Sequence, residues 1–223
     1  LYGLLIQLLG HEAVYAVENP GYQKIGKIYQ NYQVNWTYID MDDEGVEVSQ
    51  LEEKMVDIVH ISPSHHYPTG IVMPVSRRYE LLGWAAKGEG KYIIEDDYDS
   101  ELRLGGKPIP TLQSIDISEK VIYMNTFTKT LASTVRISYM ILPRPLLEQF
   151  YQKLSFYSCT VSNFEQYTLD LFIKEGYFEK HINRLRNYYQ NKKNGFLSAI
   201  RESGLQERVE ISGEEAGVHF LMK

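Results

Sequence analysis

Cysteine is nearly absent: Cys159 stands alone among 223 residues, so no internal disulfide can form. A chain without that staple fits a reducing compartment, and a cytoplasmic location is expected. Long apolar runs are missing as well. The longest, 1–10 and 135–143, are too short to span a bilayer. No signal-peptide pattern is visible, so no membrane partner is expected. Basic residues are in deficit, with 23 Lys and Arg against 29 Asp and Glu, for a net charge of −6. So acidic a chain is a poor non-specific binder of nucleic acid, and it has neither zinc-finger spacing nor an arginine-rich run. Any contact of the parent protein with DNA then falls to another segment. Repeats and low-complexity stretches are also absent. What remains is ordinary globular composition, 43% hydrophobic and 23% charged, enough to bury a core. Tyrosine is abundant, at 18 residues, which suits amphipathic surfaces and interfaces. No initiator methionine precedes Leu1, and the chain is read as an internal piece of something longer.

Short apolar runs alternate with helical or loop segments. Strands are expected over 13–17, 35–40, 56–61, 92–94, 121–124 and 137–142. Helices are expected near the N-terminus and over 23–32, 49–55 and 74–87, with turns at Asn19-Pro20-Gly21 and 42–45. Several strands are apolar throughout, which argues for a mostly parallel, mixed α/β sheet with helices on both faces. From Pro145 the pattern turns helical. Ser162 and Glu165 have capping-box spacing, Gly176 suits the end of that helix, and a long amphipathic helix runs to Gly204. Strands are expected again over 209–211 and 218–222.

In open parallel sheets, ligands bind beyond the carboxyl ends of the strands. Three polar clusters fall at such ends: 62–70, 95–99 and 126–129. Lys129 follows an apolar strand among Thr126, Thr128 and Thr130. Partly buried there, it is a candidate amine nucleophile; otherwise it is a solvated loop lysine. Glu95, Asp96 and Asp97 could hold a metal, act as base or pair with a cationic ring nitrogen. Alternatively they form a turn with local hydrogen bonds. His65 and His66 are a weaker signal, with no carboxylate nearby at metal spacing, so no metal is expected. Arg136 is a candidate anion clamp or else a surface ion pair.

Taken together these runs resemble the MocR/GabR-type regulators. The resemblance is carried by 94–101 (IEDDYDSE) and 121–131 (VIYMNTFTKTL). It extends over 18–22 (ENPGY), 63–70 (PSHHYPTG), 73–78 (MPVSRR), 176–182 (GYFEKHI) and 216–220 (AGVHF). Such regulators join a winged-helix DNA-binding domain of GntR type to a domain similar to fold-type I aminotransferases. The resemblance implies a fold-type I large domain over 1–179, truncated at its N-terminus, and the start of a small α+β domain over 180–223.

It also implies pyridoxal 5′-phosphate as cofactor. Lys129 would form the internal aldimine, and Asp96 would pair with the pyridine nitrogen. Asp96 is preferred to Asp97 on the family pattern, and strand alternation lets it share a direction with Tyr98. Tyr98 would bond the ring's phenolic oxygen. Thr126, Thr128 and Arg136 belong to the implied cofactor site, Arg136 and Thr126 on the phosphate. Tyr22 and His65 would line the pocket near the ring or the incoming amine. The expected function is sensing of an amino-acid-like effector as an external aldimine. DNA would be contacted only through a winged-helix domain absent from this chain, and a homodimer is implied. The alternatives are an active aminotransferase, or a structural domain with a vestigial site. The chain departs from the family pattern at Asn125, at Thr128, and at Ser133-Thr134-Val135, where Pro-Gly-Leu is usual before the arginine. Tyr67 stands where aminotransferases often place Asn, which favours a regulator over an enzyme.

Overall fold

The computed structural model describes every residue except 106–108, 214–216 and 223, and of Gln206 the backbone alone. Ala216 of the quoted 216–220 run thus lies outside the described residues. The chain begins with α1 (Tyr2–Leu9), β1 (Val14–Asn19), α2 (Gln23–Asn31), β2 (Asn35–Asp42) and β3 (Gly45–Val46). There follow α3 (Val48–Glu53), β4 (Ile58–Ile61), α4 (Val75–Ala86), β5 (Tyr92–Asp97), α5 (Leu112–Ile115), β6 (Val121–Thr126) and β7 (Ser138–Ile141). The last elements are α6 (Arg144–Leu154), α7 (Asn163–Lys174), α8 (Tyr177–Glu202), β8 (Ile211–Ser212) and β9 (Leu221–Met222).

Seven strands form one sheet in the order β3-β2-β1-β4-β5-β6-β7. The five central strands are parallel, and β3 and β7 close the edges antiparallel. Strand alternation splits the core in two. Ala16, Val59, Ile61, Ile93 and Val121 face α3, α4 and α5, through Leu51, Leu81, Trp84 and Leu112. Tyr15, Val17, Ile58, Ile94, Ile122 and Met124 face the other way. There α1, α2 and α6 cover them with Leu5, Ile6, Ile25, Tyr29 and Leu146. Burial on both faces is why these strands read as continuous apolar runs.

Several boundaries differ from the sequence reading. The strand expected from residue 56 starts at Ile58, because Met55 takes φ 50° and Val56 N–H returns to Leu51 O to close α3. The acids at 95–97 lie inside β5 rather than in a turn. The strands expected over 209–211 and 218–222 reduce to two paired residues each. The capping box is present in full: Ser162 Oγ accepts Glu165 N–H, and Glu165 accepts Ser162 N–H. Gly176 ends α7 with φ 71° in the left-handed region, where glycine carries no Cβ penalty. Among the described residues, no helix is long and apolar enough to cross a membrane.

Candidate functional site

The strand order reverses between β1 and β4, and a cavity of about 660 Å³ opens over the carboxyl ends of the strands there. All three polar clusters reach this end of the sheet. The cavity is lined by Tyr22 after β1, Ser62 and Tyr67 after β4, Asp96 and Tyr98 from β5 and its exit, and Thr126, Thr128, Lys129 and Arg136 from β6 and its loop. Leu1 and Tyr2 close it from α1, and Thr160 and Val161 from the segment before α7.

Alternation along β5 sorts the acids. Asp96 and Tyr98 face the cavity, while Glu95 and Asp97 are buried toward the opposite layer. Asp97 accepts the Tyr123 hydroxyl at 2.8 Å, and burial pushes its carboxyl above the ordinary value. Glu95 accepts the N–H groups of Leu112 and Gln113, both at 2.9 Å, and lies 3.5 Å from the wholly buried Arg78. Arg78 also donates to the carbonyls of Met73, Pro110 and Pro63, tying the post-β4 loop to the far layer.

Asp96 is held from one side. Tyr2 donates to its Oδ2 at 2.9 Å, and His60 Nε2 lies 3.4 Å from the same oxygen. Among the described residues, Oδ1 makes no hydrogen bond. Burial first, and then Asp96, raises the Tyr2 hydroxyl well above its ordinary range, so it stays a donor. Sequence reasoning missed both Tyr2 and His60. The available signal for His60 was a lone imidazole in the apolar run Ile58-Val59-His60-Ile61.

The loop between β6 and β7 carries Lys129 and Arg136. Phe127 N–H returns to Ile137 O, Thr128 Oγ1 donates to Val135 O at 3.0 Å, and Thr126 Oγ1 lies 3.0 Å from Thr128 Oγ1. These bonds close the loop without the Pro-Gly pair. They also engage the two threonine hydroxyls in holding it. Lys129 is exposed, not partly buried, and among the described residues neither it nor Arg136 makes an ion pair. Two cations and Asp96, whose Oδ1 has no hydrogen-bond partner among the described residues, thus line one cavity.

His65 is not among the lining residues. It is 3% exposed and sits behind Tyr98, whose hydroxyl donates to His65 O at 2.7 Å. Its Nδ1 lies 2.9 Å from buried Asp99, and its ring stacks on His219 at 3.9 Å. The structure therefore does bring a carboxylate to this histidine, from 34 residues away. Donor atoms of His65, Asp99 and His219 lie within 4.8 Å of one another, but the imidazoles stack with planes 30° apart rather than converge on a point. Tyr22 is exposed at the rim, edge-on to Tyr67 at 5.8 Å.

Behind the rim, Glu18 accepts Ser62 N–H at 3.1 Å and lies 3.4 Å from His66 Nε2. Burial pushes Glu18 up to about 8 and His66 down to about 4, so at neutral pH both groups are uncharged. The folded state holds a proton on Glu18 that the unfolded chain releases above its ordinary 4.5. Stability therefore falls as pH rises from about 4.5 to about 8, by at most ~1.4 kcal/mol per pH unit. His66 acts oppositely, costing stability as pH falls from 6.5 toward about 4. Glu95, raised by burial to about 7, adds to the Glu18 slope only below that value. Glu18→Gln should thus flatten the unfolding free energy between about pH 7 and 8 in urea titrations. An unchanged slope there would mean that Glu18 is already ionised in the fold.

No family model matches the chain. The HTH-type transcriptional regulator YdeL of Bacillus subtilis is 42% identical over 222 residues, which is 100% of this chain and 48% of that protein. The probable rhizopine catabolism regulatory protein MocR of Rhizobium meliloti is 30% identical over 207 residues, 93% of this chain and 42% of that protein. Among solved structures, the multiple substrate aminotransferase of Thermococcus profundus superposes with a TM-score of 0.80 at 31% identity, covering 96% of this chain and 55% of that one. The chain spans about half the length of the curated relatives it matches.

Proposed function

Because the chain fits the aminotransferase-like portion of the MocR-type regulators, we propose that it is the pyridoxal-phosphate-binding, effector-sensing domain of a transcriptional regulator. The observation that carries this reading is one cavity lined by Lys129, Arg136 and Asp96, with both contacts to the Asp96 carboxylate on Oδ2. Pyridoxal phosphate supplies an aldehyde that condenses reversibly with amines and a ring that draws electron density.

The chain's own residues fit that group. Lys129 Nζ would offer the amine, and Asp96, with Oδ1 free of partners among the described residues, would accept from a protonated ring nitrogen. Arg136 offers charge-assisted bonds to a phosphate, beside Thr126 and Thr128. Tyr98, whose hydroxyl donates to His65 O, would turn it toward a ring oxygen. His65 acts from behind Tyr98, and Tyr22 with Tyr67 meets the effector at the rim. With that group bound, an amino-acid-like effector would meet it beside Lys129 and compete with the Lys129 amine. Its unequal affinity for two domain arrangements then shifts the regulator between states.

In this reading the large domain covers 1–179 and a small domain begins at 180, in a cytoplasmic protein. DNA is bound through a winged helix elsewhere in the parent. The surface for a homodimer is α7. None of its residues is buried, and Phe164, Tyr167 and Leu171 form an exposed stripe. The likeness to aminotransferases favours a second reading, an active aminotransferase, and steady amino transfer to a keto acid by the full-length parent would select it.

The test is an absorbance titration of the chain with pyridoxal phosphate, repeated on the full-length parent. A saturable visible band, moved by added amines, is expected. Absence of a band in both proteins overturns the proposal.

A further inference from the structure

We propose that Tyr29 and His60 form a one-directional hydrogen-bond chain that aims Asp96 into the cavity, with His60 as a positioning residue acting through its Nε2–H. The role for the cofactor rests on the reading above; the direction of the chain does not.

His60 lies on the same face of β4 as Ile58, and its side chain is fully buried. Tyr29 reaches it from α2, with its hydroxyl 2.9 Å from His60 Nδ1. Among the described residues that nitrogen is the hydroxyl's one hydrogen-bond partner. Were the hydroxyl to accept from Nδ1–H, its own proton would be left buried without an acceptor, a costly arrangement. The hydroxyl therefore donates, Nδ1 accepts, and the ring proton sits on Nε2. That nitrogen faces Asp96 Oδ2 at 3.4 Å. Tyr15 packs on the Tyr29 ring at 4.8 Å and keeps it in place.

Tyr2 donates to the same oxygen, so both donors hold Oδ2 and none holds Oδ1. The carboxylate's rotation is thereby fixed with Oδ1 toward the cavity. The titratable groups around this chain are Tyr2 from α1, Tyr22 and Tyr29 at the start and within α2, Tyr15 and Glu18 from β1, Asp96 from β5 and Tyr98 just beyond it. Burial holds the Tyr29 hydroxyl well above its ordinary range, so it remains a donor.

Two measurements test this. Long-range ¹H–¹⁵N correlation spectra of the chain without cofactor should show His60 protonated at Nε2 and bare at Nδ1, and Tyr29→Phe should let protonation at Nδ1 appear. Titration with pyridoxal phosphate should give a Kd raised about tenfold or more in His60→Phe. His60→Gln keeps an N–H near the Nε2 position and should stay within about threefold of the parent chain. A proton found on Nδ1 in the unaltered chain overturns the proposal, as does a His60→Phe variant that binds as tightly as the unaltered chain. If the unaltered chain and its parent give no band, the sensor reading fails, while the spectra still decide the direction of the Tyr29–His60 chain.

Discussion

Lys129→Ala should abolish the visible band formed with pyridoxal phosphate at every cofactor concentration while leaving the fold as stable as before. The two halves of that expectation come from different features. Lys129 is exposed, in a loop held by the Thr126 and Thr128 hydroxyls and by Phe127 N–H. Its own side chain makes no hydrogen bond or ion pair among the described residues, so truncation should change stability by no more than about 0.5 kcal/mol. The lysine amine proposed to join the aldehyde is nevertheless gone, and among the described residues no other lysine lines the cavity. Lys129→Arg separates charge from chemistry. It keeps a cation beside Arg136 but not a nucleophilic amine, and it should also give no band. A band of full intensity in both variants would place the attachment on another lysine.

Arg78→Met should be among the most damaging single changes in the chain. The guanidinium is wholly buried and serves three carbonyls, those of Met73, Pro110 and Pro63, besides facing Glu95. Methionine matches the stem but supplies no donor. Three carbonyls and a buried carboxyl lose their partner at once, and breaking such a pair from one side costs about 3–5 kcal/mol. The urea midpoint should fall accordingly with an unchanged slope. Because Pro63 adjoins Ser62, cofactor affinity in the surviving folded fraction should weaken too. A loss below about 1 kcal/mol would mean that water takes over these bonds.

The parallel sheet was legible because burial on both faces leaves long apolar stretches in the strands, as in Val14–Val17 and Val121–Met124. The lining of the cavity was legible where polar residues sit at strand ends in short runs, as with Asp96, Tyr98 and Lys129. It was opaque where partners meet across long separations. Tyr2 and Asp96 are 94 residues apart, and His65 and Asp99 are 34. A sequence gives no sign that two such residues will touch. Arg78 was hidden for another reason: a charged residue in an amphipathic helix reads as solvated, and only the packed carbonyls around it show otherwise. His65, placed near the ring by resemblance, proves to be a neighbour of the pocket's walls rather than a wall.

Helix α1 packs against α6, and Gln7 accepts the hydroxyl of Tyr157, 150 positions further along the chain. On a ribosome adding about 5–20 residues per second, α1 emerges many seconds before α6 exists. Through that interval part of the Leu5, Ile6 and Leu8 surface has no cover, and for much of it Tyr2 has no Asp96 to meet. The lining of the cavity, which draws on residues from Leu1 to Val161, is therefore incomplete until well after α1 has been made. The nascent polypeptide spends that time as a client for any chaperone that recognises short leucine-rich helices.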